Sequence, residues 1–237
     1  MSTPAILALA FAPGIFWLWF FYKRDKIEPE PKHLIVKTFF WGMAAVIPAV
    51  FLETPFRGMG GGMVMTVIAA PVFEEYLKYS AVRRTIYAHD EFDEPMDGIV
   101  YAAAAALGFA SLENAMFLFS AYSKGGESQV WATFAIRALL SVPGHVMFSA
   151  MWGYALGVAK FTPGPDNKKV IAGGVALAMG LHALFNFLVT TQPLVSIGLL
   201  LFLYFGWRAV NKKIAAALAD SPHHPGAAAS AILKDRL

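Results

Sequence analysis

Long apolar blocks set the first constraint on this chain. The stretches around residues 4–22, 34–55 and 169–190 carry very few charges. Blocks of about 18 or more apolar residues are long enough to cross a hydrocarbon core of about 30 Å. Inside lipid the backbone must satisfy its own hydrogen bonds, which leaves helices or closed barrels. A barrel would show short alternating segments, and none appear. Composition agrees: 57% of residues are apolar and 15% charged, against about a quarter charged in soluble domains. The mean hydropathy is +0.54. The expected fold is all-α, a polytopic transmembrane helical bundle of about seven spans.

Those helices fall at roughly 4–22, 34–55, 62–82, 98–120, 129–159, 169–190 and 193–210. The fifth is too long for one span. Pro143-Gly144 predicts a kink in it, because proline removes a helix hydrogen bond. A tight turn near Gln192-Pro193 joins the last two. Basic residues cluster in alternate loops: Lys23, Arg24, Lys26 and Lys32, then Arg83 and Arg84, then Lys160, Lys168 and Lys169, then Arg208, Lys212, Lys213, Lys234 and Arg236. The other loops hold Arg57 and Lys124. The positive-inside rule then puts the N-terminus outside and the C-terminus in the cytoplasm. Residues 1–210 read as one transmembrane domain and 211–237 as a flexible cytoplasmic tail. The first apolar stretch lacks a basic leader and a small-residue cleavage site, so it reads as an uncleaved span.

The net charge of +3 follows from the basic loops and does not imply nucleic acid. There is no cysteine, which excludes disulfides, thiolate metal ligands and a cysteine nucleophile. The acidic stretch YAHDEFDEPMDG reads as a solvated loop, with Asp97 capping the fourth helix. His223 and His224 in the tail read as a solvated pair.

Ionisable side chains inside spans cost on the order of 2.5–3.5 kcal/mol each and are functional candidates by default. Four places carry them: Glu74, Glu75 and Lys78 in PVFEEYLKYS; Glu113 and Asn114 in LGFASLEN; His145 in SVPGHVMFSAMWGY; His182 and Asn186 in GLHALFN. Glu74 and Lys78 are i,i+4, and Glu75 and Lys78 are i,i+3, so either carboxylate reaches the lysine. His182 and Asn186 stack on one face. At about 1.5 Å per residue all four places lie between the midplane and the outer half of the bilayer. A buried Glu–Lys pair or a lone histidine can serve helix packing alone. Four such groups at one height favour a site. Arg137 reads as structural, snorkelling or pairing with Glu113.

Carboxylates, imidazoles and an amide shielded from water suit hydrolysis. A glutamate serves as the base that activates water, and His182 and Asn186 stabilise an oxyanion. There is no H-E-x-x-H motif and no G-x-S-x-G elbow. Ser141 and Ser149 have no spacing that supports a serine nucleophile. No cofactor is fixed by the motifs, and His145, His182 and Glu113 match the ligand count of a catalytic zinc. The spacing leaves zinc and metal-free glutamate chemistry open.

The ordered set EEYLK, LGFASLEN, PGHVMFSAMWGYALG and GLHALFN, over about residues 71–190, resembles the PrsW family of intramembrane proteases. It is more distantly similar to the CAAX prenyl protease and bacteriocin-immunity superfamily. The resemblance implies a bacterial inner-membrane endopeptidase whose partner is a membrane-anchored protein, such as an anti-sigma factor. It assigns Glu74 and Glu75 to the essential glutamate pair, Lys78 to its lysine, His145 to the first histidine, and His182 with Asn186 to the last motif. Glu113 stands where the wider superfamily has a histidine after Phe109. The rival readings are a proton- or ion-coupled transporter, a CAAX-type protease and a non-catalytic immunity protein of the same fold. The transporter reading lacks an inverted repeat, and the break near Pro143 has no evident partner.

Overall fold

The computed structural model describes residues 1–162, 164–191 and 196–224. Every regular element among them is helical. The α-helices are α1 (Thr3–Tyr22), α2 (Lys32–Glu53), α3 (Ala70–Thr85), α4 (Pro95–Ile136), α5 (Val142–Phe161), α6 (Asn167–Thr190) and α7 (Ser196–Ala219). Four stretches are long and apolar enough to cross a membrane: Thr3–Tyr22, Lys32–Phe56, Pro95–Phe161 and Asn167–Thr190. The third runs through α4 and α5 and doubles back on itself.

The reversal falls at Gly125 and Gly126, where Gly126 has φ 65° and ψ −153°. Glycine adopts this backbone without a Cβ penalty. The expected fourth helix therefore extends past 120, and the expected fifth begins as a short arm after the glycines. α4 is the central helix. Ala102, Ala103, Ala104, Ala105 and Ala106 are all fully buried, and small side chains let backbones approach closely. A Cβ at Gly153 of α5 would overlap the Gly98 carbonyl of α4. A Cβ at Gly42 of α2 would overlap the Ala105 carbonyl.

Two helix starts differ from expectation for the same reason. The irregularity expected at Pro143-Gly144 lies just upstream, as a π turn over Arg137–Ser141 in which Val142 donates to the Arg137 carbonyl. Pro143 has no N–H for the carbonyl four residues earlier, and the chain widens to the i→i+5 bond. The helix expected at 62–82 begins instead with a 3₁₀ turn at Met59–Gly62 and a second π turn at Met65–Ala69. There Ala70 donates to the Met65 carbonyl and Pro71 follows. The break at Pro143 thus has a partner, contrary to the reading that it had none.

The acidic stretch is solvated only in its first half. Ala88, His89, Asp90 and Glu91 are exposed, whereas Phe92, Glu94 and Asp97 are buried. Helix α4 starts at Pro95 after the N-cap Glu94, so Asp97 acts from the third helical position rather than as N-cap. Its Oδ2 accepts the N–H groups of Glu94 at 2.7 Å and Asp93 at 2.6 Å, and the Glu94 side chain faces the Asp97 N–H in return, a capping box. Helix α7, expected to end near 210, runs to Ala219. Val210, Ile214 and Ala217 are buried along one face, and Asn211 accepts from Arg24 at 3.0 Å. Beyond it, buried Ser221 donates to Glu94. His223 is exposed but not merely solvated, with Nε2 3.1 Å from Glu28 and 3.2 Å from Asp93. Residues 225–237 of the expected tail, and the turn at Gln192-Pro193, lie outside the described residues. In this loop cluster, burial above all, then neighbouring Glu94 and Asp97, pushes the Asp25 carboxyl up to about 8.

The close contact of α4 with α5 makes a prediction. Gly153→Ala overpacks the helix pair and costs about 1–3 kcal/mol, read as a lower melting temperature of the detergent-solubilised protein. Gly173→Ala in α6, where a Cβ would meet nothing within 4 Å, does not lower the melting temperature and raises it slightly, because alanine favours the helix.

Candidate active site

The two π turns aim the site. Glu74 lies three residues after Pro71, at the start of the second turn of α3, and His145 lies two residues after Pro143, in the first turn of α5. α4 brings Glu113 and Asn114, and α6 brings His182 and Asn186. Glu74, Glu75 and His145 converge on Lys78, which is fully buried. Its ammonium reaches Glu75 Oε1 at 2.8 Å, His145 Nδ1 at 2.9 Å and Glu74 Oε2 at 3.3 Å. Three donors meet three acceptors. The ammonium also lies 4.4 Å from the centroid of the Phe109 ring, a cation–π contact.

The two glutamates have unequal surroundings. Glu75 is fully buried and its oxygens are saturated. Oε2 accepts from Ser149 Oγ at 2.7 Å and from Trp152 Nε1 at 3.0 Å. Oε1 accepts from Lys78 and lies 3.2 Å from His182 Nδ1. Glu74 has only the long Lys78 contact, with His145 Nδ1 at 3.9 Å and His182 Nε2 at 4.0 Å. Glu74, Glu113, His145, His182 and Asn186 line a cavity of about 460 Å³, whereas Glu75 and Lys78 lie behind its wall.

The histidines are oriented by carboxylates. His182 Nδ1 faces Glu75, so that nitrogen carries the proton and Nε2 is turned toward Glu74. His145 Nε2 lies 3.0 Å from Glu113, so its Nδ1 is the acceptor for Lys78. These tautomers are assigned from the partners. Phe148 stacks on the His182 ring at 4.8 Å between centroids. Arg137 pairs with Glu113 at 2.6 Å and donates to Asn114 at 2.5 Å, so the structural reading of Arg137 as a partner of Glu113 matches the geometry. Asn186 does not converge with His182 on one point. Its amide donates at 2.8 Å to the carbonyl of Thr66 and ties α6 to the π turn before α3.

The structure thus brings together Glu74, Glu75, Lys78, Glu113, His145 and His182, with Asn186 on the same cavity wall. Sequence reasoning missed Trp152 and gave Ser149 no role. Their signal was spacing: 145, 149 and 152 share one helical face. Of the three residues expected to hold zinc, Glu113 instead backs His145. The buried trio whose ligand atoms lie within 4.8 Å of one another is Glu74, His145 and His182.

An all-helical membrane bundle enclosing a carboxylate–imidazole centre is the architecture of a membrane-embedded hydrolase. Residues 30–210 match the family model described as PrsW family intramembrane metalloprotease. The chain is 32% identical over 213 residues to Protease PrsW of Geobacillus kaustophilus (strain HTA426), covering 89% of this chain and 91% of that protein. It is 32% identical over 206 residues to Protease PrsW of Bacillus subtilis (strain 168), covering 86% and 91%. No solved structure matches the chain. The chain belongs to the PrsW family; it is an intramembrane protease, integral to the bacterial inner membrane.

The family description implies a metal. Two imidazoles and a carboxylate match a catalytic metal in donor type and number. Their arrangement does not fit one. Lys78 lies against two of the three donors, and both His145 nitrogens are engaged, Nδ1 by Lys78 and Nε2 by Glu113. A divalent ion among the three would face a buried ammonium of like sign.

Glu75's saturation is testable. Trp152→Phe leaves a buried carboxylate one donor short and costs about 1–3 kcal/mol, seen as a lower melting temperature. The double variant with Ser149→Ala costs more than the single.

Proposed function

We propose that this protein hydrolyses peptide bonds of membrane-anchored substrates within the bilayer, with Glu74 as general base. One observation carries this reading. Lys78 lies 2.8 Å from Glu75 and 3.3 Å from Glu74, and Arg137 pairs with Glu113. Glu53 also lines the cavity, but Glu74 is the carboxylate there that has both imidazoles within 4.0 Å and only the longer share of one lysine. Buried charges need partners, so this carboxyl is the group that gains or loses a proton as chemistry proceeds.

The roles follow from the contacts. Glu74 takes a proton from a water as its oxygen bonds the scissile carbonyl carbon. The C=O electrons move onto the oxygen. When the intermediate collapses, the C–N bond breaks and Glu74 returns the proton to the leaving amine. Glu75 holds His182 so that Nε2 faces the water. Glu113 and Lys78 fix His145 beside it. Asn186 has two amide N–H groups: one is used on Thr66, and the other serves the developing oxyanion, with Arg137 on the same wall. No step runs through a metal.

We further propose seven crossings with the N-terminus outside. In support, the segments after α1, before α4 and after α7 meet at one end of the bundle, through the Arg24–Asn211 and Ser221–Glu94 contacts. The N-terminal amine and Glu127 meet at the other. Most loop lysines and arginines belong to the first end. Residues 1–210 hold the catalytic unit, and the substrate is a single-span protein of the kind the family resemblance implies. The matching π turns at Pro71 and Pro143 do not revive a transporter, because relatives named as proteases span most of the chain.

Three measurements check this reading. With a single-span reporter in proteoliposomes, Glu74→Gln lowers cleavage by about 100- to 10,000-fold at an unchanged melting temperature. Glu75→Gln lowers both, because it breaks a buried ion pair. Wild-type cleavage persists in 1,10-phenanthroline; loss that added zinc restores would refute the metal-free route. A green fluorescent protein fused at the C-terminus fluoresces, whereas alkaline phosphatase fused there stays inactive. Full cleavage by Glu74→Gln removes the general-base assignment.

A further inference from the structure

A second cluster of buried acids lies far from the cavity. Asp97 precedes Glu113 on α4 by sixteen residues, about 24 Å along the helix at 1.5 Å per residue. Around it, Asp25 and Glu30 come from the segment between α1 and α2, and Glu94 caps α4. The exposures are 3% for Asp25, 3% for Glu30 and 0% for Glu94 and Asp97.

Their hydrogen bonds leave an unmet requirement. Glu30 accepts from Tyr101, and Glu94 accepts from Ser221. Asp97 Oδ2 takes the two backbone N–H groups of the α4 cap. Four buried oxygens lack a hydrogen bond of good geometry: both of Asp25, Oε1 of Glu94 and Oδ1 of Asp97. Their polar neighbours are chiefly other carboxyls, Glu94 beside Asp25 and Glu30 beside Asp97, with the Glu30 N–H approaching Asp25. Neighbouring Lys160 does not serve them, since its amine donates to the carbonyls of Tyr87 at 2.8 Å and Phe92 at 2.6 Å. Unpaired buried carboxylates are costly, and buried polar atoms without partners call for a cause such as an ion. Asp25, Glu30 and Asp97 each present an oxygen within 4.8 Å of the others.

We propose that Asp25, Glu30 and Asp97, with Glu94 beside them, bind one hard divalent cation, magnesium or calcium. The donors are all carboxylate oxygens, the set that hard cations take and that zinc or copper sites do not favour. The ion joins the α1–α2 segment to the start of α4 directly. Through the Ser221–Glu94 hydrogen bond it also holds the chain beyond α7. It is a structural clamp, separate from the proteolytic centre, and does not rest on the mechanism proposed for that centre.

The test uses the full chain in detergent, stripped with EDTA and titrated with MgCl₂ or CaCl₂ by calorimetry and by thermal unfolding. One ion binds per chain, and the melting temperature rises by several degrees and saturates. Asp25→Asn and, separately, Glu30→Gln lower the affinity at least tenfold. In EDTA they melt no lower than wild type, because each removes a repelling charge. His182→Ala, in the other cluster, binds the ion as wild type does. Terbium ion substitutes at the site, and its emission, sensitised by Tyr101, is lost in Tyr101→Phe and displaced by calcium. If Asp25→Asn does not accumulate, Glu30→Gln alone decides. Absence of binding by both ions overturns the proposal. So does undiminished binding in either folded carboxylate variant, or loss of binding in His182→Ala.

Discussion

The ammonium of Lys78 makes the rest of the site tenable. Two adjacent glutamates on one helix, deep among apolar side chains, would repel each other and resist burial. Lys78 meets both and His145 as well, one N–H to each. That arrangement fixes Glu75, which in turn fixes His182, Ser149 and Trp152. Because one cation serves two carboxylates, the balance is uneven, and the excess falls on the glutamate beside the cavity. In the mechanism proposed above, reactivity and stability are thereby divided between neighbours: Glu75 holds and Glu74 reacts.

This division bears on the family's description as metalloproteases. Glu74, His145 and His182 have the donor types of a metal site, and their ordered appearance in a sequence reads as one. The lysine beside the glutamates changes that reading, since it delivers positive charge covalently to the place where an ion would deliver it. The carboxylates behind each histidine are equally suited to orienting a ring for proton chemistry.

Much of this was legible before any coordinates. Hydrocarbon makes ionisable residues conspicuous, so Glu74, Glu75, Lys78, Glu113, His145 and His182 stood out by type alone. The i,i+3 and i,i+4 spacings foretold the Lys78 contacts. Trp152 was hidden because tryptophan is ordinary in a membrane helix and only its register relative to His145 betrays it. The π turn before Pro71 was hidden because Met-Thr-Val-Ile-Ala is simply apolar, and hydropathy does not report hydrogen-bond register. Glu94 and Asp97 looked solvated because charge says nothing about what covers a loop. The cover comes from α7, which continues well past its most apolar part.

The cavity beside Glu74 opens to its surroundings rather than sealing around a guest, so its width does not decide which segments enter. The backbone of the target sets a stricter condition. In an intact helix each carbonyl is held in the helix's own ladder of hydrogen bonds. If Glu74 is the base proposed above, a target must first unwind beside it, and segments rich in glycine or broken by proline unwind at the smallest cost.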